Sequence, residues 1–176
     1  MSAPYPADWE RQASTRDGLA FRVRPIRPDD ADRERCFIRR LSPQSRYQRM
    51  MNAMRELPPD LLQRFVHVDY IHDMAFVAVT GDPPNEELIG VARYAQDRSG
   101  PDCEFAVVVA DAWQARGVGA TLMGVLFEYA HARGVHRLHG EILADNAHMI
   151  DLAHWLGMQT KQHDQDQCLV QASREI

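Results

Sequence analysis

From Leu19 to Ile26, apolar residues (Leu19, Phe21, Val23) alternate with Arg22 and Arg24, the period-two pattern of a half-buried strand. Pro28-Asp29-Asp30 then opens a helix, with proline and acids in its first turn. Ser42-Pro43 breaks that helix and starts a second through Tyr47, Met50 and Met51. Leu57-Pro58-Pro59-Asp60 punctuates again before a third helix through Leu61, Leu62 and Phe65. The period changes at Met74–Thr80, a continuous apolar run fit for a buried strand. Leu88–Tyr94 and Cys103–Val109 are two further strands. Short connections between the three, one of them the turn cluster Gly81-Asp82-Pro83-Pro84-Asn85, favour an antiparallel meander. Gly117–Arg133 carries Leu122, Val125, Leu126, Tyr129 and Ala130 at helical spacing and closes on Gly134. A strand spans Val135–Leu143, a helix Asn146–Leu156 ends at Gly157, and residues 158–171 hold one or two weaker strands. Residues 1–18, with Pro4, Pro6, Gly18 and Trp9 as the one large anchor, read as a flexible arm before a single domain over 19–176. This order predicts an α/β fold: a mixed, largely antiparallel twisted sheet flanked by helices, with one parallel crossover through the helix at 118–133.

Composition narrows the function more than the fold. The net charge is −5, but residues 10–55 hold twelve Arg against six acids, so the remainder carries eight basic and nineteen acidic groups, or −11. A net acidic chain argues against nucleic-acid binding and is compatible with a cationic acceptor such as an amine, or simply with a solvated face. No apolar run approaches the roughly 18 residues of a membrane span. The first residues lack a basic and apolar leader, so a cytoplasmic protein is expected. Cys36, Cys103 and Cys168 form no Cys-x-x-Cys pair, and His136 and His139 fall on opposite faces of a strand, so no metal site is expected.

The chemistry concentrates between Glu104 and Ala120. Glu104 is an acid among apolar strand residues, and Gln114-Ala115-Arg116-Gly117-Val118-Gly119-Ala120 is a glycine-bearing loop opening a helix. Backbone N–H groups at a helix N-terminus bind anions, and Gly117 and Gly119 let a diphosphate approach closely. A Walker loop is excluded because no Lys is present there. A dinucleotide fingerprint places a third glycine where Leu122 stands, and the 57 residues after Gly119 are too few for a Rossmann domain, although Glu141 lies at a tempting distance. Glu104 reads either as a general base, with a pKa raised by partial burial, or as a solvent-facing strand residue.

Gln114, Gly117 and Gly119 match the Gln/Arg-x-x-Gly-x-Gly/Ala signature, and from about Leu19 to Val170 the chain resembles the GCN5-related N-acetyltransferases (GNAT). Arg24-Pro25-Ile26-Arg27-Pro28-Asp29-Asp30, Leu41–Tyr47, Glu104–Val109 and Trp113-Gln114 look like the acetyltransferase domain of bacterial protein-lysine acetyltransferases. The resemblance implies acetyl-CoA as co-substrate. Its diphosphate would lie on residues 114–120, and its pantetheine arm along Val107, Val108 and Val109, where the strand splays from its neighbour, often with a bulge. Glu104 would be the general base. Asn146 resembles a residue near the cofactor sulfur and reads equally well as an ordinary N-cap. The tyrosine many relatives use as general acid has no counterpart in Leu156–Cys168. The expected activity is direct acetyl transfer to an amine, a protein lysine first and a small amine second, by a monomer or homodimer. A non-catalytic acyl-CoA sensor is the rival reading.

Overall fold

The computed structural model describes residues 3–98 and 100–176. Eight strands form one sheet: β1 Arg11–Ser14, β2 Ala20–Pro25, β3 Asp73–Thr80, β4 Glu87–Gln96, β5 Cys103–Val109, β6 Arg137–Leu143, β7 Gln159–Gln162 and β8 Leu169–Glu175. The helices are α1 Ala31–Arg40, α2 Pro43–Met50, α3 Pro59–Val66, α4 Val118–Ala132 and α5 Ala147–Trp155. The spatial order is β1-β2-β3-β4-β5-β6-β8-β7. Every neighbouring pair is antiparallel except β5–β6, which the α4 crossover makes parallel. The mixed, largely antiparallel architecture read from the periodicities is borne out.

Two hydrophobic clusters sandwich the sheet. On one face α4 and α5 bury Leu122, Leu126, Tyr129 and Ala153 against Phe76, Tyr94, Phe105 and Leu138. On the other, α1 and α3 bury Phe37, Ile38, Leu62 and Val66 against Val77, Val91 and Val108. Among the described residues the second cluster draws none from β6, β7 or β8, and no helix packs on that end of the sheet on this face.

Three sequence expectations need correction. Residues 11–14, read as part of a flexible arm, form the edge strand β1 against β2. The anchor is Trp9, whose ring lies 5.0 Å from that of Tyr129. A four-residue strand with three exposed positions leaves no periodicity to detect. Arg24, read as the polar side of a half-buried strand, is fully buried. It donates to both carboxylate oxygens of Asp30 at 2.7 Å and to Glu86 at 2.9 Å, a pairing that offsets the cost of burying its charge. The last strand extends to Glu175 and slots between β6 and β7, although Ala172 is its only fully buried residue.

Asp69 organises the entry to β3. Its carboxylate accepts from the N–H groups of Ile71 (2.8 Å), His72 (2.8 Å) and Asp73 (3.0 Å) and from the His72 ring (2.8 Å). Burial pushes its pKa up, but these bonds outweigh burial and hold it at about 2, against an ordinary 3.8. A depressed carboxylate stabilises the fold above its unfolded pKa and loses that contribution as pH falls towards the folded value. Urea denaturation should therefore show stability declining between about pH 4 and about pH 2, and Asp69→Asn should flatten that decline. Equal slopes in the two proteins would refute the assignment.

Candidate active site

β5 is the frame of the site. On one side it pairs with β4 along its whole length, without a register shift. On the other it meets β6 only at Cys103↔Leu138 and Glu104↔His139. The strands part just past Glu104, leaving the Phe105–Val109 edge without a partner strand on that side. The splay thus needs no bulge in β5; the sheet's irregularity lies between β3 and β4, at Ala78/Val79. Gly140 shapes the fork. A Cβ there would lie 2.9 Å from the Phe105 ring and 3.0 Å from its carbonyl oxygen, so a bare backbone lets Phe105 wedge between the strands.

Beyond β5 the chain makes a 3-10 turn, Asp111–Trp113, and enters the loop to α4. Ala115 (φ 58) and Gly117 (φ 97) take left-handed conformations that curl the loop, and Gly117 is the N-cap of α4 with no side-chain cap. The first N–H groups of a helix left uncapped are anion donors at the positive end of its dipole. Gly119 keeps the approach open, since a Cβ there would sit 3.3 Å from Leu152 and 3.5 Å from Val109.

The side chains of the loop divide their work. Gln114 donates to the Val109 carbonyl (3.0 Å) and to Ser45 Oγ (3.1 Å), bracing the end of β5 against α2. Asp111 strengthens that brace by accepting from Ser42 N (2.9 Å), Ser42 Oγ (2.7 Å) and Ser45 Oγ (2.7 Å). Val118 is fully buried in the core and anchors the start of α4 there. Arg116 turns to Asp17, 3.3 Å away, and lies 5.9 Å from the Trp113 ring centroid.

A cleft of about 920 Å³ joins these parts. Glu104, Val107, Val108, Val109, Gln114, Ala115, Gly117, Gly119, Ala120 and Asn146 line it; Arg116 and Val118 do not. Residues that the sequence does not single out also line it, among them Arg16, Arg49, His148 and Trp155, as does Glu141, named there only for a rejected dinucleotide site. Asn146 caps α5 by accepting from Met149 N at 3.2 Å, the ordinary N-cap of the two readings, and it also lines the cleft. A second trough of about 780 Å³ crosses the helix-free end of the sheet, past Asp97, His139, Lys161 and Ser173. Glu104 and Glu141 line both cavities.

Glu104 is exposed rather than partly buried, on the sheet face that carries Val108 and α2. Its charge acts on Arg49, whose guanidinium burial and the neighbouring Arg93 push down to about 10, with Glu34 and Glu104 opposing. Arg93 stacks on Phe65 at 4.0 Å and lies 3.7 Å from the buried Glu34. Cys103, adjacent to Glu104, points into the opposite core, where burial and then Asp97, Asp102 and Asp73 push its thiol up to about 11. It is therefore no thiolate nucleophile near neutral pH. Among the described residues no group of three or more His, Cys, Asp or Glu is arranged to hold a metal ion, and no helix is long and apolar enough to cross a membrane.

With this geometry in view, the comparisons with known proteins are specific. Residues 47–158 match the family model described as the acetyltransferase (GNAT) family. An acetyltransferase of Pseudomonas aeruginosa is 38% identical over 141 residues, 80% of this chain and 76% of that protein. The acetyltransferase Pat of Mycolicibacterium smegmatis is 31% identical over 143 residues, 81% of this chain but only 42% of that protein. Among solved structures, the GNAT domain of S. lividans PAT superposes with a TM-score of 0.89 at 31% identity, covering 98% of this chain and all of that one.

Proposed function

The chain belongs to the GNAT acetyltransferase family, and from that premise we propose that it transfers acetyl from acetyl-CoA directly to a lysine side chain of a protein, with Glu104 as general base. The observation that carries this reading is the position of Glu104, at the fork of β5 and β6 and in the wall of both cavities. One cavity ends at the anion loop and suits the co-substrate. The other is an open polar trough and suits the acceptor.

The residues present fit acetyl-CoA. Uncapped N–H groups at Gly119 and Ala120, which line the cleft at the start of α4, would hold the diphosphate, and Gly119 leaves the gap that a side chain would fill. The free edge of β5 at Val107–Val109 offers backbone groups to the pantetheine amides, in the manner of an added strand. An N–H on that edge would polarise the thioester carbonyl. Acetyl-CoA, when bound, supplies the acetyl group already activated as a thioester. An ammonium must lose a proton before it can attack, and Glu104, directly or through one water, accepts it. No step requires a covalent enzyme intermediate, in keeping with the inert thiol of Cys103.

The likeness to Pat and to the GNAT domain of PAT, together with the Arg24–Asp30 and Leu41–Tyr47 segments, supports a protein acceptor over a small amine. Free-thiol release from acetyl-CoA should be fast with lysine-bearing proteins and slow with a panel of small amines. Mass spectrometry should place the acetyl group on lysine Nζ. Thiol release with small amines alone would replace the acceptor assignment, and no release with any amine would favour a non-catalytic acyl-CoA sensor.

A further inference from the structure

Resting on the reading of the α4 N-terminus as a diphosphate cradle, we propose that Arg16, from the turn between β1 and β2, is the cationic wall of that cradle and a co-substrate-binding residue. The turn is tightly built. Thr15 N donates to the Leu19 carbonyl (2.9 Å), Leu19 N to Thr15 Oγ1 (2.9 Å) and Gly18 N to the Thr15 carbonyl (3.0 Å), with Gly18 at φ 88. Thr15 is buried, so the backbone that bears Arg16 is fixed from below.

This turn docks on the anion loop itself. Arg16 N donates to the Arg116 carbonyl at 3.0 Å, and Asp17 pairs with the Arg116 guanidinium at 3.3 Å. Arg16 Cγ lies 3.8 Å from where a Cβ on Gly117 would be, so the Arg16 stem runs over the glycine that caps α4. Its side chain lines the cleft together with Gln114, Ala115 and Gly119.

The two arginines have divided roles. Arg116, inside the signature loop, has its charge offset by Asp17 and stays out of the cleft wall. Arg16 is exposed, and no carboxylate among the described residues pairs with it. An uncompensated guanidinium beside uncapped helix N–H groups is a phosphate site of two components. The dipole end supplies backbone donors, and the planar fork adds a full charge with bidentate geometry. The placement over Gly117 assigns Arg16 to the diphosphate rather than to the 3′-phosphate of CoA.

Binding, not turnover, tests this. Calorimetry would compare the full chain with Arg16→Ala and Arg16→Lys against CoA, dephospho-CoA (no 3′-phosphate) and pantetheine (no nucleotide phosphates). Arg16→Ala should weaken CoA and dephospho-CoA equally, by roughly tenfold or more, with pantetheine unchanged. Arg16→Lys should recover part of the loss, and the salt dependence of CoA binding should become shallower in Arg16→Ala. Unchanged CoA affinity would overturn the proposal. So would an equal loss for pantetheine, which would make the turn merely structural, or a loss confined to CoA, which would move Arg16 to the 3′-phosphate. If the unmodified protein itself bound CoA no better than pantetheine, the cradle reading would fall first, and the variant data would show it separately.

Discussion

Glu104→Gln should lower kcat by about 10²- to 10⁴-fold near neutral pH while leaving the affinity for acetyl-CoA nearly unchanged. Gln keeps the size and the hydrogen-bonding capacity of the side chain but cannot take a proton from the acceptor ammonium. Glu104 is exposed and carries no core packing, so the fold should not register the change. Its backbone, which pairs with Ala95 in β4 and His139 in β6, is untouched by the substitution. The pH–rate profile is the sharper readout. Without the base, the rate of the variant should rise with pH only as the acceptor amine itself loses its proton. A variant that kept full kcat and the same profile would reduce Glu104 to a strand residue and send the search to Glu141, the other acid that lines both cavities.

Gly119→Glu should weaken CoA binding by about 100-fold or more, because it removes charge-assisted bonds worth about 1.5–3 kcal/mol each and replaces them with like-charge repulsion. Its new side chain would begin 3.3 Å from Leu152 and 3.5 Å from Val109, in the gap the diphosphate needs. Gly117→Glu should do the same with an added cost. Gly117 sits at φ 97, and any side chain there carries backbone strain of about 1–2 kcal/mol. Gly117→Ala has that strain without the charge, so comparing the two separates them: the Ala variant should lose stability but keep most of its CoA affinity. Thermal unfolding and calorimetry on all three decide the matter. Unchanged CoA affinity in both folded Glu variants would refute the cradle.

Most of this architecture was legible because its signals are local. The change of period at Met74, the glycines at 117 and 119, and the closing Gly134 each announce an element within a few residues. What escaped depends on contacts between distant parts of the chain. Arg24 looks like a surface residue until Asp30 and Glu86 close around it. Ser42 and Ser45 look like ordinary helix-start residues, and only the folded chain brings Asp111 onto them. Arg16 belongs to a segment too short for a periodic pattern, and its relation to Gly117 exists only through the docking of one turn on another. At the site, position was easier to read than orientation. The signature loop was found, but that Val118 and Arg116 turn their side chains elsewhere follows from packing, which sequence spacing does not encode. The partial burial expected of Glu104 failed for the same reason: among the described residues no helix covers the sheet beyond β5 on that face.

That missing helix has a consequence for what can be acted on. An acceptor lying across β6, β8 and β7, as proposed above, would have a floor but no ceiling, so no wall would filter it by bulk. On the proposed reading of a protein acceptor, a lysine on a rigid, folded surface could be presented as readily as one on a loose peptide. On that same reading, discrimination between targets would fall to what the floor itself can feel, the alternation of Asp97, His139, Glu141 and Lys161 along it, and to how far a given lysine protrudes.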